Sequence, residues 1–313
     1  MEDWKTLSLA SGVLGLLTIA TIVGQFLKRH PDMGLNAAAV RIFNLRLRAW
    51  WMMCALLAAA RFLGEGWTVA MFGLISFVAL REFITITPTR LGDHRALFWA
   101  FVLFTPLQYV LVGLNRYQLF NVLIPVYAFL FVPARVALSG DFKRYLERVA
   151  KIQTGLMICV YCLSFAPALL NLKIPNYDAN YRLLIFFILI VQLGDAMQYI
   201  WGKLIGRHLI VPTISPNRTW EGFGGSVASN ALIGAALFWA TPFQPWQAAG
   251  MAMVVTVLGF CGGLTMSAIK RDRGVKDYGT LVEGHGGVLD RIDSICFAAP
   301  VFYHLIWTMF PQT

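Results

Sequence analysis

Ser267 to Asp293 reads S-A-I-K-R-D-R-G-V-K-D-Y-G-T-L-V-E-G-H-G-G-V-L-D-R-I-D. The stretch leaves one long apolar run and enters another at Ser294. It holds the cations Lys270, Arg271, Arg273, Lys276 and Arg291 beside the carboxylates Asp272, Asp277, Glu283, Asp290 and Asp293, with His285 and several glycines. Bracketed by apolar runs, it is a loop between membrane spans. Its mix of charges, in a chain otherwise poor in charge, points to a site for an anionic ligand plus a metal ion rather than to a solvated face.

Composition agrees with the membrane reading. The 313 residues are 58% hydrophobic and 13% charged, against about 25% charged in soluble domains. A soluble protein this apolar would expose large patches. Windows of about 18–20 apolar residues recur, the length of a helix crossing a bilayer. The expected class is all-α: a polytopic transmembrane helical bundle of about 9–10 spans, forming one integral membrane domain over residues 1–313. Spans are expected near 7–27, 48–63, 66–81, 96–114, 118–138, 153–171, 183–201, 226–242, 247–268 and 294–311. The first looks like a retained span rather than a cleaved signal peptide. Cys159 and Cys162 form a C-x-x-C inside the apolar run 156–170, where they read as packing residues.

The formal charge of +10 is unevenly placed. Loops 28–48, 81–95, 135–151, 202–225 and 270–293 hold 21 of the 26 Lys and Arg residues. Cytoplasmic loops carry such an excess. The chemically rich loops 202–225 and 270–293 then share the cytoplasmic face. Part of loop 28–48, with Arg41, Arg46 and Arg48 beside Trp50 and Trp51, has the composition of an interfacial helix meeting anionic headgroups. Cations confined to short loops argue against a nucleic-acid partner.

A second informative stretch runs from Gln192 to Ser226. Asp195 sits late in the apolar run 183–200, where a carboxylate costs about 2.5–3.5 kcal/mol unless paired, metal-bound or facing water. Gly194, Gly202 and Gly206 allow close backbone approach. Lys203 and Arg207 are one helical turn apart and would point at one volume. In the segment 215–225, Pro216 sets a turn, and Thr219 or Ser215 caps the next helix with Glu221 in its first turn. Free N–H groups there, with Arg218, would cradle phosphate.

The pattern Ser267, Lys270-Arg271, Lys276-Asp277, His285-Gly286-Gly287, Asp290-Arg291, Asp293 resembles, without a gap, the signature of the phosphatidate cytidylyltransferase (CDP-diacylglycerol synthase) family. Residues 215–222 look like that family's S-P-x-[KR]-T-x-E-G element. The resemblance covers about residues 183–311, the expected cytidylyltransferase core; residues 1–152 match in hydropathy alone, as N-terminal membrane helices. It implies transfer of CMP from CTP to phosphatidic acid, giving CDP-diacylglycerol and pyrophosphate for phospholipid biosynthesis. The enzyme would be a multi-pass protein, of the bacterial inner membrane, with its site towards the cytoplasm. The expected partners are CTP, phosphatidic acid and the bilayer, with room for a homodimer.

The residue types suit that chemistry. The nucleophile is already an anion, so the obstacle is the approach of a phosphomonoester to a triphosphate. Cations and positioning would lower it. Mg2+ or Mn2+ would be held by Asp195, Asp277, Asp290 and Asp293 together with substrate phosphates. Lys270, Arg271, Lys276 and Arg291 would neutralise phosphate charge. His285 would donate to a phosphate oxygen. Lys203, Ser215, Arg218, Thr219, Glu221, Ser267, Gly286 and Gly287 would bind the nucleotide.

Two positions depart from the family pattern. Gly263 stands where bacterial members carry an Asp of the metal site, eukaryotic-type members being similar to this sequence in having Gly-Gly there, and Gln198 replaces a small or apolar residue. They motivate an alternative acceptor, such as another lipid phosphate or a polyprenol-type substrate. A transporter is the reading from another class; mid-span ionisable residues in several helices or repeated halves would mark it. Asp195 is the main such residue, and no internal repeat is evident.

Overall fold

The computed structural model describes residues 3–29, 62–279 and 286–310, with isolated positions between 44 and 59. Nine helices can be followed among them: α1 (Asp3–Arg29), α2 (Glu65–Ile86), α3 (Leu91–Gly113), α4 (Tyr117–Ala137), α5 (Tyr145–Asn171), α6 (Asn180–Leu204), α7 (Trp220–Ala236), α8 (Pro245–Asp272) and α9 (Leu289–Met309). Eight are long and apolar enough to cross a membrane, and α7, at 17 residues, is shorter. The described residues form no strand beyond two isolated bridges, 174 with 177 and 209 with 219. The protein is an all-α helical membrane bundle, as its composition requires. The expected span 48–63 and the interfacial helix in 28–48 fall largely outside the described residues.

Two boundaries differ from the hydropathy reading for visible reasons. Helix α7 begins six residues before the expected 226, because the Thr219 hydroxyl accepts the Gly222 amide at 3.1 Å and caps the helix there. Capping thus outweighs the polarity of the first turn. Helix α2 continues past 81 to Ile86, so Arg81 and Glu82 are helical rather than in the loop. Glu82 is only 5% exposed, which requires partners from elsewhere in the fold.

Helices α3, α4 and α5 each contain a wide, π-type turn, at Ala100–Phe104, Leu123–Ala128 and Leu156–Cys162. The Thr105 hydroxyl donates to the Ala100 carbonyl at 2.8 Å, five residues back, and so occupies an acceptor of the widened turn. Cys159 is buried in the third such turn, and Cys159 and Cys162 are both free thiols.

Helices α6, α7 and α8 pack closely through small residues, as membrane helices do. Asn230 on α7 donates to the Ile190 carbonyl of α6 at 2.8 Å and to the Thr256 hydroxyl of α8 at 2.7 Å. Ser226 donates to the Gly194 carbonyl at 2.9 Å. Helix α9 lies against Gly259 and Gly262 of α8, whose missing side chains leave room for Ser294, the Asp293 carbonyl and Phe297.

Contacts between connectors sort the bundle into two ends. At one end Arg90 pairs with Asp141 at 2.9 Å, Arg148 with Asp93 at 2.6 Å, and Arg271 reaches the Ile214 carbonyl at 3.2 Å. At the other, Tyr181 meets Thr68 at 3.0 Å and Tyr177 donates to the Ala240 carbonyl at 2.7 Å. The connectors after α2, α4, α6 and α8, which carry most described loop cations, therefore share an end.

Candidate active site

The site lies at that cation-rich end and is built in three parts. The first is the connector from α8 to α9, held by two carboxylates. Asp290, in the first turn of α9, pairs with Lys270 at 2.7 Å through one oxygen. Its other oxygen accepts the amides of Tyr278 at 2.8 Å and Gly287 at 2.9 Å. Glu82 arrives from α2 and accepts the amides of Val288 at 3.0 Å and Leu289 at 2.8 Å. A carboxylate at this place satisfies donors that the first turn of α9 cannot pair internally. The Tyr278 ring is buried against Phe83, and its hydroxyl donates to the Met266 carbonyl at 3.0 Å.

The glycines follow from these carboxylates. Gly286 has φ +81°, and a Cβ on it would come within 2.7 Å of Asp290 Oδ2. A Cβ on Gly287 would strike Glu82, and one on Gly279 would approach Glu82 Oε1 to 2.6 Å. Both signature glycines thus make room for carboxylates of the protein itself. Asp277 lies beside Gly286 and is exposed.

The second part is a pair of half-buried acids. The Ser294 hydroxyl donates to Asp195 Oδ2 on α6 at 3.0 Å, and the Ser294 amide donates to Asp293 Oδ1 on α9 at 2.7 Å. One residue thereby brings together carboxylates 98 positions apart in sequence. Lys270 and Arg218 are the cations whose charge reaches Asp293.

The third part is the connector from α6 to α7, an ordered hairpin. The Ile210 amide donates to the Arg218 carbonyl and the Trp220 amide to the His208 carbonyl, both at 3.0 Å. Glu221 accepts the amides of Arg207 and His208 and the His208 side chain, and these bonds, the side-chain one foremost, pull its carboxyl down to about 2. Arg218 donates to the Phe260 carbonyl of α8 at 2.8 Å and lies over the Phe260 ring at 5.0 Å.

Other expected residues are placed as follows. Ser267 donates to the Gly263 carbonyl at 2.6 Å, within α8. Ser215 begins the tight turn closed by the Arg218 amide at 3.4 Å. Arg271 and Lys276 are exposed at the same end, and Arg291 is half-buried on α9. Lys203 and Arg207 do not share a helix face: α6 stops at Leu204, and the chain folds back at Gly206, where a Cβ would strike the Gly202 carbonyl. His285 lies outside the described residues. Glu82 was not among the expected site residues. Its sequence signal is a lone carboxylate at the end of an apolar helix, which marks intramembrane function.

No group of three or more His, Cys, Asp or Glu residues suited to a metal occurs among the described residues. Mg2+ needs only one or two carboxylates when substrate phosphates and water complete its shell. Asp195 and Asp293, adjacent and half-buried, fit that requirement; Asp290, with both oxygens engaged, fits it less well.

The described polar end of the bundle joins paired acids to several cations, charges of the kind that phosphate groups and a divalent ion require. Comparison with known proteins narrows the class: the Cytidylyltransferase family profile matches residues 44–309, and the chain belongs to that family. It is 38% identical over 302 residues to the Uncharacterized protein YnbB of Escherichia coli (strain K12), covering 94% of this chain and 96% of that one. It is 38% identical over 125 residues to the Phosphatidate cytidylyltransferase of Staphylococcus aureus (strain COL), covering 39% of this chain and 48% of that protein. With the Phosphatidate cytidylyltransferase of Staphylococcus epidermidis (strain ATCC 12228 / FDA PCI 1200) the identity is 39% over 127 residues, 40% of this chain and 49% of the other. This chain thus spans about half the length of the two staphylococcal enzymes it matches, and nearly all of the Escherichia coli protein.

Proposed function

We propose that this chain transfers the cytidylyl group of CTP to phosphatidic acid, yielding CDP-diacylglycerol and pyrophosphate. The observation that carries the reading is the Asp195–Ser294–Asp293 arrangement, flanked by Lys270 and Arg218 at the cation-rich end of a membrane bundle. In the reaction, an oxygen of the lipid phosphate attacks the α-phosphorus of CTP. The bond between that phosphorus and the oxygen bridging to the β-phosphate breaks, and pyrophosphate leaves with the electron pair.

Asp195 and Asp293 are the residues to hold a divalent ion, with Asp277 at the rim. Such an ion supplies charge neutralisation and a template for the phosphates. The chain's own groups do the rest. Arg218 and Lys270 meet phosphate charge, and a guanidinium does so with paired donors. Asp290 and Glu82 fix the loop that places them, and the Thr219 cap fixes the start of α7 beside Arg218. His285 would donate to a phosphate oxygen.

The catalytic core on this reading is residues 183–311, supported by the N-terminal helices through Glu82. The polar end faces the cytoplasm, where CTP is found, and the excess of Lys and Arg in its loops supports that orientation. CTP and the phosphate of a bilayer lipid can meet only at such a rim.

A second acceptor reading has its own observation. Gln198 is buried, and among the described residues its Nε2 has no hydrogen-bond partner where it lines a small cavity with Asp195 and Phe260. A lipid phosphate with an additional acceptor oxygen would satisfy that donor. The test is a panel of lipid phosphates with CTP and the purified protein in detergent, read as metal-dependent pyrophosphate release. Turnover with phosphatidic acid above the other lipids supports the first reading, and preference for another lipid phosphate supports the second. No release with any of them rejects both.

A further inference from the structure

Arg218 and Lys270, the two cations whose charge reaches Asp293, are held differently. Lys270 is neutralised by Asp290 at 2.7 Å. The guanidinium of Arg218 is half-buried and makes one hydrogen bond, to the Phe260 carbonyl, with no ion pair among the described residues. A half-buried guanidinium in that state is poised to pair with an anion.

What holds it there is an absent side chain. A Cβ on Gly263 would collide with Arg218 Nη2 and lie 3.2 Å from Cζ. Among the described residues no atom outside Arg218 lies nearer than 3.4 Å to that Cβ, so the tight contact at Gly263 is with the guanidinium alone. Gly262, its neighbour, is the reverse case: a Cβ there would come within 2.8 Å of the Asp293 carbonyl and 2.9 Å of Phe297 Cβ, which are fixed parts of α9. One glycine seats a helix and the next seats a guanidinium.

We propose that Gly263 is a positioning residue for Arg218, and that the guanidinium laid on this bare patch of α8 is a direct contact for a phosphate oxygen of substrate. The inference deepens the phosphate-transfer reading and assigns Gly263 a role in it. The departure at Gly263 then has a physical sense: the volume a side chain would fill is occupied by positive charge. A carboxylate introduced there would both displace the guanidinium and pair with it.

The experiment is a double-mutant cycle on the full-length protein in detergent, with Gly263→Ala, Arg218→Ala and the double variant. Binding is measured for two probes, inorganic pyrophosphate and a short-chain phosphatidate, and each variant's melting temperature is recorded. Losing a charge-assisted contact should weaken binding of at least one probe by about 10-fold or more in either single variant. The double variant should bind no worse than Arg218→Ala alone, because Gly263 acts only through Arg218. Gly263→Ala should melt close to wild type, since only the end of a flexible side chain must move. Gly263→Asp should weaken binding at least as much as Gly263→Ala. The probe that responds identifies which phosphate Arg218 meets.

Wild-type binding of both probes by Gly263→Ala, or losses that multiply in the double variant, overturns the proposal. Failure of the transfer reaction reads differently. A chain that releases no pyrophosphate from CTP yet shows the coupled cycle keeps this inference and loses the reaction, whereas turnover with a flat cycle does the opposite.

Discussion

The Leu289 amide on α9 donates to the Glu82 carboxylate on α2 at 2.8 Å, across 207 residues of sequence. Val288 donates to the other oxygen of the same carboxylate at 3.0 Å. The first turn of the signature helix is therefore capped by a helix outside the core the signature defines. One buried and one part-buried amide depend on one side chain, so Glu82→Ala should destabilise the fold by roughly 2–4 kcal/mol. Glu82→Gln keeps one acceptor oxygen and should lose less. Thermal melting in detergent decides the matter, and an Ala variant as stable as wild type would refute the capping role.

Asp195 and Asp293 meet at Ser294, while Asp272 stands exposed at the end of α8 beside Arg273. Asp195→Asn and Asp293→Asn should each lower kcat by about 100-fold or more, since charge stabilisation at such sites is worth several kcal/mol. They should also raise the Mg2+ concentration needed for half-maximal rate. Asp272→Asn should stay near wild type. Equal losses in all three variants would remove the acid pair from the mechanism.

The contrast between what was legible and what was not is clearest in Thr219 and Glu82. Hydropathy, the placement of Lys and Arg, and motif spacing expose the helical class and the polar end, because bilayer thickness and charge cost act along the chain itself. Thr219 was readable as a cap because capping is local, within three residues. The role of Glu82 was not, because its partners are set by tertiary packing. Gly286 and Gly287 were expected to bind the nucleotide; the spacing did not reveal that Asp290 and Glu82 lie where their side chains would be. The helical relation between Lys203 and Arg207 failed because the helix stops at Leu204 and the chain reverses at Gly206, a glycine just past the apolar run being a stop signal that the one-turn spacing left out.

Asp290 accepts from Lys270, Tyr278 and Gly287, whereas Lys270 has Asp290 as its ion-pair partner. Removing the acid should therefore harm more than removing the base. Asp290→Ala leaves a poorly exposed ammonium and two amides without their acceptor, a cost of about 3–5 kcal/mol by the rule for broken buried pairs. Lys270→Ala leaves a carboxylate still held by two amides and should cost less. Asp290→Asn should lower kcat far more than Asp272→Asn. Unfolding midpoints and pyrophosphate release order these variants, and Lys270→Ala proving the more damaging to stability would contradict the assigned geometry.

Gly274 and Gly286 test whether conformation or contact makes the signature glycine necessary. Both have positive φ, +68° and +81°. No described residue lies within 4 Å of a Cβ on Gly274, while one on Gly286 would meet Asp290 Oδ2 at 2.7 Å and Asp277 Cβ at 3.0 Å. The backbone penalty for Ala in this region is about 1–2 kcal/mol and should be shared by both variants. Gly274→Ala should therefore melt slightly lower and keep most of its activity. Gly286→Ala adds a collision with the carboxylate that organises the loop, and should lose activity by a further 10-fold or more, about 1.4 kcal/mol. If the two variants lost activity alike, backbone conformation alone would explain the glycine, and the carboxylate packed against it would have no part in the requirement.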